Sequence, residues 1–178
     1  MTIIQMFPFE SGPHFGYVIK PSNETRSTGG VIPITADTDL QFAAHANTLY
    51  EIRFLTAPTC TGNTHPSSRC RIACSATVDS AAIRIKRLFA DIPHGWPGGV
   101  SDVIWTHCYS TVQFNSDSRN WQNGTGGSSN QQYTLGYGMV KMGASAGTIS
   151  IKWGSVGGTG TMTMQAGSWL FCREMVQE

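Results

Sequence analysis

The stretch from Gly147 to Arg173 constrains the fold more than any other part of the chain. Ile149, Ile151 and Trp153 alternate with Thr148, Ser150 and Lys152, the period of two that a strand shows when one of its faces is buried. A glycine-rich turn follows at Gly154, Gly157, Gly158 and Gly160, where backbone with positive φ carries no steric cost. Met162 and Met164 then alternate with Thr161, Thr163 and Gln165, and Ala166-Gly167 breaks the run. Ser168 to Cys172 reads as a last strand, apolar on both faces, and a strand of that kind is expected to be locked into a sheet or a subunit interface. The expectation is a β-sandwich that packs against other subunits, with Trp153, Met162, Met164, Trp169 and Phe171 as the contact residues.

The same alternation recurs upstream. Tyr50, Ile52 and Phe54 make one face of a strand from which Glu51 and Arg53 point away. Cys70, Ile72 and Cys74 alternate with Arg69, Arg71 and Ala73, and Ile83 and Ile85 with Arg84 and Lys86. Val103 to Asn115 and Tyr133 to Met142 are further β-rich runs. Loops are expected at Ala57 to Ser68, Asp91 to Ser101 and Ser116 to Asn130, and turns at Ser27 to Gly30 and Asp37 to Asp39. About eight short strands with no helix favour a two-sheet antiparallel sandwich or jelly roll.

Residues 1–26 differ from the rest. Phe7, Phe9, Phe15 and Tyr17 stand among Pro8, Pro13 and Pro21, so a long helix is forbidden and a plain disordered tail is disfavoured. Two readings stay open: an arm that buries its aromatics on a capsid or a neighbouring subunit, or an edge strand near Tyr17-Val18-Ile19 added to the domain's own sheet. With the arm as a separate element, the domain spans 27–178.

Composition narrows the function. Charged residues make up 13% of the chain against roughly 25% in an average soluble domain, which leaves much surface to meet other protein. The net charge of +1 gives no basic field for nucleic acid, and no apolar run approaches the length of a membrane span. Ile3 and Ile4 follow no basic segment and begin no apolar core of export-signal length, so the five cysteines are expected as free thiols in a reducing cytoplasm.

Two motifs then resemble a known family. Thr35-Ala36-Asp37-Thr38-Asp39-Leu40-Gln41-Phe42, followed by Ala46-Asn47-Thr48-Leu49-Tyr50, is similar to the opening of a jelly-roll module common in tailed-phage and prophage virion proteins. Gly147-Thr148 with Trp153, and Thr161 with Ala166-Gly167-Ser168 and Leu170, resemble its closing strands. The resemblance runs from about Val31 to the C-terminus and implies a tumour-necrosis-factor-like jelly roll that usually forms homotrimers. It implies a place in the virion, assembled in the bacterial cytoplasm: a capsid decoration or cement protein bound to the major capsid protein, or else a tail-fibre module that recognises host glycan. Phe7, Phe9, Phe15 and Tyr17 would then lace onto the shell or a neighbour.

No residue set stands out for catalysis or a cofactor. Cys70 and Cys74 share a strand face but sit about 13 Å apart along it, too far for one zinc. His107 and Cys108 are adjacent and so point to opposite faces, which disfavours a nucleophile pair. Asp37-x-Asp39 lacks the further carboxylates and the glycine of a calcium loop and is read as a turn. Trp96 and Trp121, in loops rich in small residues, are the candidates for glycan or protein contact.

Overall fold

The computed structural model describes residues 15–28, 32–61, 67–89, 104–110, 121–122, 132–156 and 160–175. Among them are thirteen strands and no helix: β1 (Phe15–Ile19), β2 (Glu24–Thr28), β3 (Ile32–Ala44), β4 (Leu49–Thr56), β5 (Pro58–Thr61), β6 (Ser67–Cys74), β7 (Val78–Phe89), β8 (Ile104–Ser110), β9 (Trp121–Gln122), β10 (Gln132–Met142), β11 (Gly147–Val156), β12 (Gly160–Met164) and β13 (Trp169–Met175). They form a six-stranded sheet in the order β1-β13-β4-β10-β7-β8, a four-stranded sheet β3-β11-β6-β9 and a three-stranded sheet β2-β12-β5. Every pairing is antiparallel.

One device organises the sheets. Three chain segments, β1 to β3, β11 to β13 and β4 to β6, lie side by side in all three, with the β11 to β13 segment in the middle each time. A single three-ply ribbon therefore runs from the six-stranded sheet through the small sheet into the four-stranded one. Its bend between β12 and β13 rests on Gly167, whose φ of +83° is the left-handed region that glycine enters freely. The Ser168 hydroxyl accepts the Ala57 N–H (3.1 Å), and the Ser168 carbonyl accepts the Lys20 N–H (2.8 Å).

One buried hydrophobic cluster draws side chains from all three sheets. Tyr50, Ile52 and Phe54 of β4 are fully buried, as the alternation predicts, and meet Phe42, Ile72, Cys74, Ile149, Ile151 and Trp153 of the four-stranded sheet in one cluster. Phe42 and Tyr50 make an edge-on contact with ring centroids 5.5 Å apart. Each such side chain contributes about 1.5–3 kcal/mol by leaving water. Gly136 lies opposite Phe54 in the register, and a Cβ there would lie 2.0 Å from the Phe54 ring.

Several expectations change. Residues 15–28 are not a free arm: β1 extends the six-stranded sheet by pairing with β13, and β2 pairs with β12. The edge-strand reading therefore describes them, while Phe7 and Phe9 lie outside the described residues. Ser27 and Thr28 belong to β2 and not to a turn. The expected loop from Ala57 contains β5, in which Thr59 and Thr61 pair with Thr163 and Thr161 and Pro58 opens the strand, the place where a missing N–H matters least. The turn at Asp37 survives as a bulge inside β3. Gln41 pairs with Ser150 and Ala36 with Lys152, so residues 37–40 face a single position of β11.

Candidate functional site

Two features stand apart from ordinary core and surface: a buried ionic cluster at the bulge, and the outer face of the six-stranded sheet. The cluster centres on Asp37, which is fully buried. Its Oδ1 accepts the backbone N–H groups of Asp39 (2.9 Å) and Leu40 (3.1 Å), the local closure that lets Asp bend a strand. Its Oδ2 accepts the indole N–H of Trp153 at 2.8 Å. The ammonium of Lys20, 1% exposed, reaches Asp37 at 2.9 Å, Glu24 at 2.8 Å and Asp39 at 3.0 Å. Three carboxylates thus match the three donors of one ammonium, and the cluster acts as a structural lock. Burial alone would raise the Asp37 pKa, but the Lys20 ammonium, the Asp39 N–H and the Trp153 N–H outweigh it and hold the carboxyl below its ordinary value. Burial would likewise lower Lys20, and the three carboxylates outweigh that and raise it.

Arg26 closes the lock from outside. Its guanidinium lies over the Trp153 ring, 3.7 Å from the centroid. It also donates to Glu24 (2.9 Å), to the Thr35 hydroxyl (2.8 Å) and to the Trp153 carbonyl (2.8 Å). Asp37, Trp153 and Ser168 are therefore positions where the ribbon is fastened to itself.

Among the described residues, the outer face of the six-stranded sheet gathers the exposed large apolar side chains. The register lines side chains into rows across five strands. One row is Tyr17, Phe171, Arg53, Tyr137 and Arg84; the next is Phe15, Arg173, Glu51, Met139 and Ala82; a third carries Ile19, Trp169, Leu55 and Leu135. The exposed large apolar side chains among the described residues, Phe15, Tyr17, Ile19, Tyr137 and Met139, all lie here, each 38–45% exposed. Tyr17 packs on Trp169 with centroids 5.7 Å apart. Glu51 is clasped by Arg53 (2.6 Å) and Arg173 (2.5 Å), and these guanidiniums, Arg53 foremost, hold its carboxyl below the usual range. Arg84 donates to the Tyr137 hydroxyl at 3.0 Å. An open depression of about 820 Å³ lies along β4, β10 and β13 between these groups. Aromatic and arginine side chains with few other charges form the composition of interface centres.

The expected contact residues divide accordingly. Trp169 and Phe171 are half-buried on this face. Trp153, Met162 and Met164 have no exposed surface, being enclosed in the chain's own core, and so are withdrawn from the expected subunit contact. Phe15 and Tyr17 belong to the face as part of β1, not as part of an arm. Trp121 is on β9, its backbone paired with Cys70, and its side chain, like all of Trp96, lies outside the described residues. Asp37 and Asp39 do hold a cation, but it is the Lys20 ammonium. Cys70, Cys74 and Cys172 are buried thiols. Burial raises the pKa of Cys74 and pushes that of Cys172 well up. Among the described residues no group of three or more His, Cys, Asp or Glu is placed to hold a metal ion.

No family model, curated protein or solved structure matches this chain.

Proposed function

We propose that this chain is a structural protein of a tailed-phage virion, a homotrimeric decoration or cement protein that binds the major capsid protein shell and catalyses no reaction. The observation that carries the reading is the outer face of the six-stranded sheet, where aromatic and arginine rows are left facing outward. The strand order supports a tumour-necrosis-factor-like jelly roll within the antiparallel β-architecture. Strands β1-β13-β4-β10 belong to one large sheet and β3-β11-β6-β9 to the other, so consecutive long strands β3, β4 and β6, and again β10, β11 and β13, cross from one large sheet to the other. The resemblance of the two ends to virion modules supplies the setting.

The test is location and occupancy. Particles of the phage that encodes the chain are banded by density, probed with antibody and imaged. Trimers at fixed lattice positions on the head are expected. A chain absent from banded particles overturns the reading, and antibody label confined to the tail tip moves the protein to receptor binding.

A further inference from the structure

The depression along β4, β10 and β13 is electrically one-sided. Three guanidiniums, Arg53, Arg84 and Arg173, line it against a single carboxylate, Glu51, in a chain whose net charge is only +1. Glu51 does not neutralise its two neighbours. Its Oε1 takes Arg53 and its Oε2 takes Arg173, so one negative charge is shared between two positive ones. A guanidinium carries five N–H donors. Arg53 spends its Nε and Nη2 on Glu51 and Arg173 its Nη2, and these side chains are 59% and 48% exposed. Beside the charges the lining is aliphatic, with Leu135 and a well-exposed Met139.

Resting on the reading of the chain as a protein of the capsid shell, we infer that this depression is the shell contact, and that it takes an acidic segment of the major capsid protein in which Asp or Glu side chains flank aliphatic ones. Guanidinium and carboxylate meet as forked donor and paired acceptor, and the aliphatic lining gains by covering apolar side chains. A sugar polymer would instead need open aromatic faces to lie on. The two rings at the depression are already engaged by this chain: the Tyr137 hydroxyl accepts from Arg84 at 3.0 Å, and Trp169 packs on Tyr17. Charges as exposed as these each contribute little affinity. Apolar contact therefore supplies the holding energy, and the arginines choose the partner and orient it.

The test uses the full chain and a fluorescein-labelled peptide of mixed Glu and Leu, read by fluorescence anisotropy. The peptide should bind, and its affinity should fall about tenfold between about 50 mM and about 500 mM salt, as screening shortens the reach of the arginines. The same peptide with Gln in place of Glu should bind far more weakly. Arg53→Gln combined with Arg173→Gln should keep the fold by circular dichroism and lower the affinity about tenfold. Arg84→Gln, a single change on β7, should lower it about threefold, and Lys152→Gln, on β11 of the four-stranded sheet, should leave it unchanged. Equal binding of the Gln peptide, unchanged binding by the arginine variants, or a preference for polygalacturonate over the peptide overturns the inference. A chain that binds the peptide as expected but never bands with particles sinks the virion reading and leaves the acidic-peptide site standing. Particles decorated as fully by the double variant as by the natural chain do the reverse.

Discussion

Replacing Asp37 by Ala isolates what the buried lock contributes. The carboxylate accepts from Trp153 at 2.8 Å, from the Asp39 and Leu40 N–H groups at 2.9 and 3.1 Å, and from Lys20 at 2.9 Å. After substitution Lys20 keeps Glu24 and Asp39, but the Trp153 indole N–H and the Leu40 N–H lose their acceptor inside the core. Each orphaned donor costs about 1–3 kcal/mol, and breaking a buried ion pair from one side costs about 3–5 kcal/mol. These overlap because they share one group, so the expected loss is about 4 kcal/mol. With a urea m-value of about 2 kcal/mol/M, the midpoint should fall by about 2 M at fixed protein concentration. Trp153→Phe removes one of those bonds and should cost about 1 kcal/mol, and the double variant should show coupling of about that size. The pH dependence carries the sign. The folded state holds Asp37 below its ordinary pKa, so its stabilisation is complete above the unfolded value and is lost as pH falls through the folded one. Asp37→Ala should therefore flatten the acid limb of the stability profile. A loss below about 1 kcal/mol, or an acid limb unchanged in slope, would refute the lock.

Other substitutions probe backbone and surface. Gly138→Ala should cost about 2–3 kcal/mol in urea unfolding or prevent folding, because its Cβ would lie 2.0 Å from the Ala82 carbonyl oxygen, backbone that cannot rotate aside. Gly167→Ala should cost only about 1–2 kcal/mol, since nothing lies within 4 Å of its Cβ position and the φ of +83° alone is strained. Arg26→Lys keeps the charge but loses the planar stacking on Trp153 and the forked donors, so thermal unfolding should show a destabilisation of about 1 kcal/mol that added charge elsewhere does not restore.

Alternation was enough to find most strands and to group residues by face. Tyr50, Ile52 and Phe54 turned inward together, and Glu51 and Arg53 outward, as expected. A period of two says which residues share a face but not which face is the interior. Hence Trp153, Met162 and Met164, grouped with Trp169 and Phe171 as contact residues, proved to be core. The role of Asp37 was hidden for a different reason. An Asp in an Asp-x-Asp run reads as a turn former, and it is one here, but its second oxygen finds Trp153 and its charge finds Lys20 from positions 116 and 17 residues away in the chain. Only pairing across the ribbon brings those together. The edge strand β1 is not legible in the sequence, because prolines argue against a helix without saying what the aromatics lie against.

The ribbon also dictates when the protein can form. Its middle ply, 147–175, is translated after both outer plies, so until then β1 to β3 and β4 to β6 emerge from the ribosome without the strands that lie between them. Such non-local pairing is slow to nucleate, and the waiting plies offer unpaired edges to chaperones. Protease resistance of ribosome-bound chains should appear only once β13 has left the exit tunnel, and arrest just before Gly147 should yield a fully digestible product.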